Sequence, residues 1–169
     1  MSQNKLGGGK MKRLSVFLLV VFLALNGCTQ VDKTAEANMA TAQKYVAEVW
    51  NNGNLDLIDD LVTADFVRHL PESWEPQVIE GPEAFKTYIK GIREQYTDFH
   101  VKTHKVIASG DMTASAWTVS GTSDAARISV RGMSMARYSD GKLAEEWATW
   151  DTQGLMQQVQ GGEEMSMKQ

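Results

Sequence analysis

Residues 128–158 read ISVRGMSMARYSDGKLAEEWATWDTQGLMQQ, and the fold is decided in this stretch. Asp140-Gly141 stands between two runs of strand-forming residues. Asp-Gly suits a two-residue hairpin, because both central positions need positive φ. An unbroken strand after the turn points Leu143, Glu145, Trp147, Thr149 and Asp151 to one face. It points Ala144, Glu146, Ala148 and Trp150 to the other. The first face then carries a leucine, a tryptophan and two carboxylates. A carboxylate among apolar side chains is costly unless hydrogen-bonded or protonated, and such groups gather at functional sites. Asp151 also stands where the strand gives way to Thr152-Gln153-Gly154, and loops on a rigid scaffold are where sites collect. It is the leading candidate for chemistry.

The same residues carry a resemblance. Arg137 to Leu143, Glu145-Glu146-Trp147, Asp151 and Gly154 to Gln158 resemble the end of a SnoaL-like polyketide cyclase domain, also called an ester cyclase domain. That family belongs to the nuclear-transport-factor-2-like superfamily. The resemblance implies an α+β fold, a cone-shaped half-barrel of curved antiparallel sheet covered by N-terminal helices that enclose an apolar cavity. It also implies that an aspartate at the position of Asp151 acts as general acid/base in ring closure.

A second group of motifs extends the likeness. Thr97-Asp98-Phe99-His100 is similar to the family's Pro-Asp-x-His entry, with Thr97 in place of the proline. Gly110-Asp111, Ala114, Trp117-Thr118 and Gly121-Thr122 follow the family pattern without a gap. Two positions depart from it: Ala116 stands where many members have arginine, and Ser123 where they have histidine. In all, the resemblance covers about residues 40–160.

At the other end, Met11-Lys12-Arg13 is a short basic start, followed by an apolar run from Leu14 to Leu25. At 12 residues the run is too short for a spanning helix of roughly 20 residues, and it fits a signal-peptide core. Cys28, the only cysteine, stands directly behind Leu25-Asn26-Gly27. This arrangement resembles a bacterial lipoprotein signal, in which Cys28 is lipidated and becomes the mature N-terminus. The expected address is therefore the cell envelope, on the periplasmic or extracellular face. Met1 to Lys10 adds nothing to such a signal, so Met11 is an alternative start.

Removing residues 1–27 from 169 leaves 142, and it also removes four cations and no acid. The remainder carries 13 cations against 21 anions, a net charge near −8. Such a surface argues against nucleic acid as a partner. With one cysteine no internal disulfide can form, so the core holds by packing, and a chain of this length can do so.

Between these ends the pattern reads helix, helix, strand, helix, then strands. Met39, Ala42, Val46, Val49 and Trp50 recur at helical spacing from Thr34 to Asn51, and Gly53 offers a C-cap. Asn54 caps a second short helix through Leu61. Phe66 to Pro71 is strand-like, and Glu72 to Glu80 is a loop holding Trp74, placed to act as a lid. Gly81-Pro82 opens the next helix, whose stripe is Phe85, Ile89, Ile92 and Tyr96. Strands follow from Phe99. The domain is expected over residues 34–160, after a tether at 28–33 and before a frayed polar tail from Gly161 to Gln169.

Asp151 and His69 are thus the candidate catalytic pair, the histidine placed by the family's histidine-proline segment. A hydrogen-bonded core or rim histidine is the equally available reading of His69. Trp147, Glu145, Trp117, Trp74 and Tyr45 are candidate ligand contacts, although plain core packing is the preferred reading of Tyr45. The Glu145-Glu146 and Glu163-Glu164 pairs are expected to be solvated, Glu145 excepted by its parity. Arg137 and Glu146 are expected to form a surface ion pair.

His100 and His104 would lie about 13 Å apart on a strand at roughly 3.3 Å per residue. That is too far for one ion with Zn–N distances of about 2.0–2.1 Å, so no metal is expected. No dinucleotide fingerprint or nucleophile elbow occurs, and no cofactor is expected. Two functional classes remain. One is an enzyme that cyclises or isomerises a small apolar carbonyl compound by proton transfer. The other is a non-catalytic protein that binds a small hydrophobic molecule. Oligomeric state stays open, a homodimer being one option.

Overall fold

The computed structural model describes residues 32–124 and 126–166; the leader and Cys28 lie outside the described residues. Helix α1 (Lys33–Lys44) begins at Asp32, whose Oδ1 accepts hydrogen bonds from the Thr34 and Ala35 N–H groups, both at 3.1 Å. Two of the unpaired donors of a helix start are satisfied in this way. Asp32 Oδ2 accepts from the Gly110 N–H at 2.9 Å, which fastens the helix to a turn of the sheet. The N–H groups of Ala35 and then Gly110 hold the Asp32 carboxyl below its usual value.

At Tyr45 the helix widens into a π-helical segment, Tyr45–Asn51, a rare geometry that recurs at functional sites. The wider turn buries Tyr45, Val49 and Trp50. Gly53 then reverses the chain at φ +71°. Arg93 donates to the carbonyls of Trp50 and Asn51 at 2.7 and 3.0 Å, closing the helix end. The short helix expected from Asn54 is split into a 3-10 turn, Leu55–Leu57, and α2 (Ile58–Leu61), and Asn54 makes no side-chain cap. β1 (Val62–His69), β2 (Val78–Glu80) and α3 (Gly81–Gln95) follow.

Then come β3 (Thr97–Ser109), β4 (Met112–Thr122), β5 (Arg127–Ser139), β6 (Lys142–Trp150) and α4 (Thr152–Ser166). α4 runs into the segment expected to fray, because helix continues past Gly161 to Ser166. Among the described residues no helix is long and apolar enough to cross a membrane.

The six strands form one curved, open sheet in the order β2-β1-β6-β5-β4-β3. This is the α+β architecture expected, with two additions. β1 and β2 extend the sheet beyond the strands that start at Phe99, and β1 pairs with β6 in parallel while the other pairs are antiparallel. The Asp140-Gly141 hairpin forms with φ values of +50° and +77°, as a two-residue turn between twisted strands requires.

One irregularity in β6 resets the faces of the sheet. Ser139 pairs with Lys142 and Tyr138 with Leu143, but Arg137 then pairs with Glu145. Ala144 is the extra residue of a β-bulge, so the parity of an unbroken strand does not hold. Leu143 faces inward, and Glu145 and Trp147 face outward. Glu146 and Ala148 face inward, both buried. The expected Arg137–Glu146 pair is therefore Arg137–Glu145, with Nη2 to Oε2 at 3.1 Å.

The core lies between the inner face of the sheet and the helices. Phe66, Phe85, Ile58, Ile89, Leu143, Val49 and Val62 are its fully buried members. Side chains of this size contribute roughly 1.5–3 kcal/mol each on full burial. On the outer face Ile107, Met133 and Met135 remain exposed.

Candidate functional site

A cavity of about 600 Å³ opens between the α1–π-helical segment and the inner faces of β3 to β6. Its floor holds Arg68 and Glu146, with relative exposures of 4% and 5%. Arg68 Nη1 donates to Glu146 Oε2 in a buried ion pair. The same oxygen accepts the Tyr45 hydroxyl at 3.0 Å, and Arg68 Nη1 lies 3.4 Å from that hydroxyl. The guanidinium packs against two adjoining aromatic rings, its Cζ 5.0 Å from the Trp50 ring centroid and 5.8 Å from that of Phe85. Such contacts partly replace the water that burial removes.

Burial is the largest single influence on Arg68 and works against its charge, but Glu146, with Tyr45 and Tyr88 adding to it, raises the guanidinium above its usual value. Burial, and then the charge of Glu146, also push the Tyr45 phenol well above its usual value. Tyr45 is therefore a lasting donor. Nothing among the described residues donates to Glu146 Oε1, although the residue lines the cavity. Arg68 Nε is enclosed and unpaired.

β4 and β5 supply the cavity's hydroxyls. Trp117 stands opposite Gly132 in the ladder, and its ring lies across that glycine, where a Cβ would collide with it. The indole Nε1–H donates to Ser134 Oγ at 3.0 Å, leaving the Ser134 hydroxyl proton available. Thr113 Oγ1 and the Tyr138 hydroxyl lie 3.3 Å apart. Burial is the main cause that takes the Tyr138 phenol up to about 12, so it too remains a donor. Ala136 pairs directly with Glu146, which makes Ser134 and Tyr138 its diagonal neighbours, at a typical spacing of about 7–8 Å.

Of the residues singled out from sequence, Tyr45 and Trp117 line this cavity. Asp151 and His69 do not converge on it. Asp151 is exposed, and its Oδ1 accepts the Gly154 N–H at 2.8 Å, which makes it the N-cap of α4. It borders an open groove beside Arg131, Met133 and Thr149. Asp151→Ala is expected to cost about 1 kcal/mol in a urea melt, and Asp151→Asn much less, since asparagine also caps. A larger loss for asparagine would show that the charge, and not the cap, is what matters.

The bulge carries Glu145 and Trp147 to the outer face, where they meet His69. His69 Nε2 lies 2.9 Å from Glu145 Oε1, and the imidazole stacks on the Trp147 ring at 5.5 Å and 7°. His69, and then Arg137, hold the Glu145 carboxyl below its usual value. Trp74 packs edge-on against Trp150 at 5.2 Å, beside the small cluster of Ile128, Val130 and Leu155, and does not line the cavity.

Sequence reasoning passed over Arg68, Glu146, Ser134 and Tyr138. One signal was available. Phe66 and Arg68 on β1 and Leu70 just after it alternate, and the two apolar members are buried, so parity alone sends Arg68 into the core with them.

The family model for SnoaL-like polyketide cyclases matches residues 40–159. No curated protein sequence matches the chain. Among solved structures, a protein of Jannaschia sp. CCS1 described as a SnoaL-like polyketide cyclase superposes with a TM-score of 0.69. It is 18% identical, over 78% of this chain and 96% of its own. A protein of Bacillus cereus ATCC 10987 described as a polyketide cyclase gives 0.66 at 26% identity, over 76% and 83%. An epoxide hydrolase of M. tuberculosis, of the LEH-like type, shares the fold at 0.63 and 16% identity, over 76% and 92%. With most of its length matched by the family model and its fold shared with these structures, the chain belongs to the SnoaL-like polyketide cyclase family.

Proposed function

We propose that the chain binds a small apolar carbonyl compound in the Glu146 cavity and moves a proton on it, as an acid/base cyclase or isomerase. One observation carries the reading: the cavity's carboxylate has an oxygen without a protein donor, and hydroxyl donors stand on the neighbouring strand. Glu146 Oε1 takes the proton from the carbon next to the carbonyl. The Ser134 or Tyr138 hydroxyl holds the carbonyl oxygen as negative charge develops on it. Glu146 returns the proton to another carbon in isomerisation, or to the product oxygen after ring closure. The apolar walls, Val101, Trp117, Val119 and Leu143 among them, take the rest of the molecule.

The test uses 2-tetralone, an apolar ketone with acidic α-protons, and follows their exchange in deuterated buffer by NMR. The native chain should accelerate exchange and Glu146→Gln should not; equal rates for the two would sink the reading. One observation favours binding without turnover. Arg68 sits on Glu146 and neutralises it, which is what a purely structural pair would do.

The lipoprotein address belongs to the same proposal. It is supported by the basic start, the apolar run and the position of Cys28. Cys28→Ala should release the protein from the membrane fraction or leave it unprocessed. Unchanged fractionation and mobility of this variant would count against an anchor.

A further inference from the structure

We infer that the outer face of β3, β4 and β5 docks on the anionic headgroups of a lipid bilayer. From His100 onward these three strands contain no acidic residue, although the whole chain has a formal net charge of −4. They hold the cations Lys102, Lys105, Arg127, Arg131 and Arg137, and the ladder turns all of them outward. Lys102 and Arg131 both stand opposite Thr118, and Lys105 stands opposite Ala116. Those β4 positions alternate with Ser115, Trp117 and Val119, which line the cavity on the other side. Arg127 and Arg137 share the parity of Arg131 along β5. Lys102, Lys105, Arg127 and Arg131 form no ion pair among the described residues, and Arg137 is held by Glu145. Asp151, which borders this face beside Arg131, is engaged in capping α4.

Between the cations stand Ile107, Met133 and Met135, each more than half exposed. Ile107, Ala114, Met135 and Trp147 are successive partners across β3 to β6, so they form one apolar row. Cations around an apolar row fit a surface that is anionic outside and apolar beneath, which describes a leaflet of anionic lipid. A second copy presenting the same face would bring like charges together. The course of the chain points the same way. Asp32 Oδ2 accepts from the Gly110 N–H, so the described fold begins at the turn between β3 and β4. Cys28 stands four residues before Asp32, and chain length alone keeps the two within about 14 Å. For this point the inference rests on the lipoprotein address proposed above: so short an anchor holds that end of the sheet at the bilayer surface.

Co-sedimentation with vesicles tests the inference. The chain from Thr29 onward is used, because the apolar run from Leu14 to Leu25 would bind lipid by itself. That chain keeps every described element and the whole core. It should bind vesicles of equal parts phosphatidylglycerol and phosphatidylcholine about tenfold more tightly than phosphatidylcholine alone, and the gap should narrow as salt is added. Lys102→Gln/Arg131→Gln should remove most of the preference. Lys44→Gln/Lys90→Gln, which removes two exposed cations from α1 and α3, should leave it in place. Ile107→Ser/Met135→Ser should weaken binding to the anionic vesicles at every salt concentration. Equal binding to the two kinds of vesicle, binding to neither, or equal losses in the two charge variants overturns the inference. So does a dimer in sedimentation equilibrium that Ile107→Ser/Met135→Ser dissociates, which would assign the face to a second copy. None of these results touches the anchor, since the chain tested carries no lipid. Conversely, failure of the anchor in Cys28→Ala removes only the argument from chain length.

Discussion

Glu146→Leu is expected to lower the free energy of unfolding by about 3–5 kcal/mol, because it leaves the guanidinium of Arg68 buried without a counter-charge. Arg68 is 4% exposed, its Nε is already unpaired, and the remaining polar contact would be the Tyr45 hydroxyl at 3.4 Å. The aromatic rings of Trp50 and Phe85 soften the loss without replacing a full charge. Removing both charges should behave differently. Arg68→Met/Glu146→Leu keeps the volume apolar and asks nothing of the solvent, so it should recover most of the loss and approach native stability. Urea unfolding of the native chain, both single variants and the double gives the coupling directly. A loss below about 1 kcal/mol for Glu146→Leu would mean that water reaches the pair and that the floor is not closed.

Glu146→Gln is the gentler change and the more informative one for chemistry. The amide oxygen can still accept from Tyr45 and Arg68, so the fold should survive. The proton acceptor is gone. If Glu146 is the base, exchange of the 2-tetralone α-protons should fall by about 10²–10⁴-fold, the usual contribution of a positioned general base. Binding of the ketone should be largely kept, because its contacts with the apolar wall and the hydroxyls are unchanged. Loss of rate without loss of binding separates a base from a residue that only shapes the cavity. A native chain that binds 2-tetralone yet exchanges its protons no faster than buffer would decide for the binding-only reading.

Much of this protein is written in local sequence. Asp140-Gly141 set a hairpin because positive φ is needed at both positions, and both have it. The stripe of Phe85 and Ile89 set a helix face, and both side chains are fully buried. The motifs from residue 97 to 158 were enough to name the family, since they mark strand entries and turns whose chemistry is local.

The site was not legible in the same way. Parity is a property of one strand only while its ladder is regular, and the bulge at Ala144 exists only in the pairing of β5 with β6. That extra residue exchanges the faces of Glu145 and Glu146, turning the expected solvated carboxylate into the buried one. The long-range pairs had no sequence trace at all: Arg68 and Glu146 are 78 residues apart, and Tyr45 is 101 from Glu146. Asp151 shows the converse. Its place at a strand end is consistent with either a general base or a helix cap, and only the 2.8 Å bond from the Gly154 N–H distinguishes them. Local sequence determined the elements and the family, because capping, turn geometry and apolar periodicity act over a few residues. Tertiary structure alone decided which carboxylate enters the cavity, because a buried charge takes its meaning from partners that the fold brings to it.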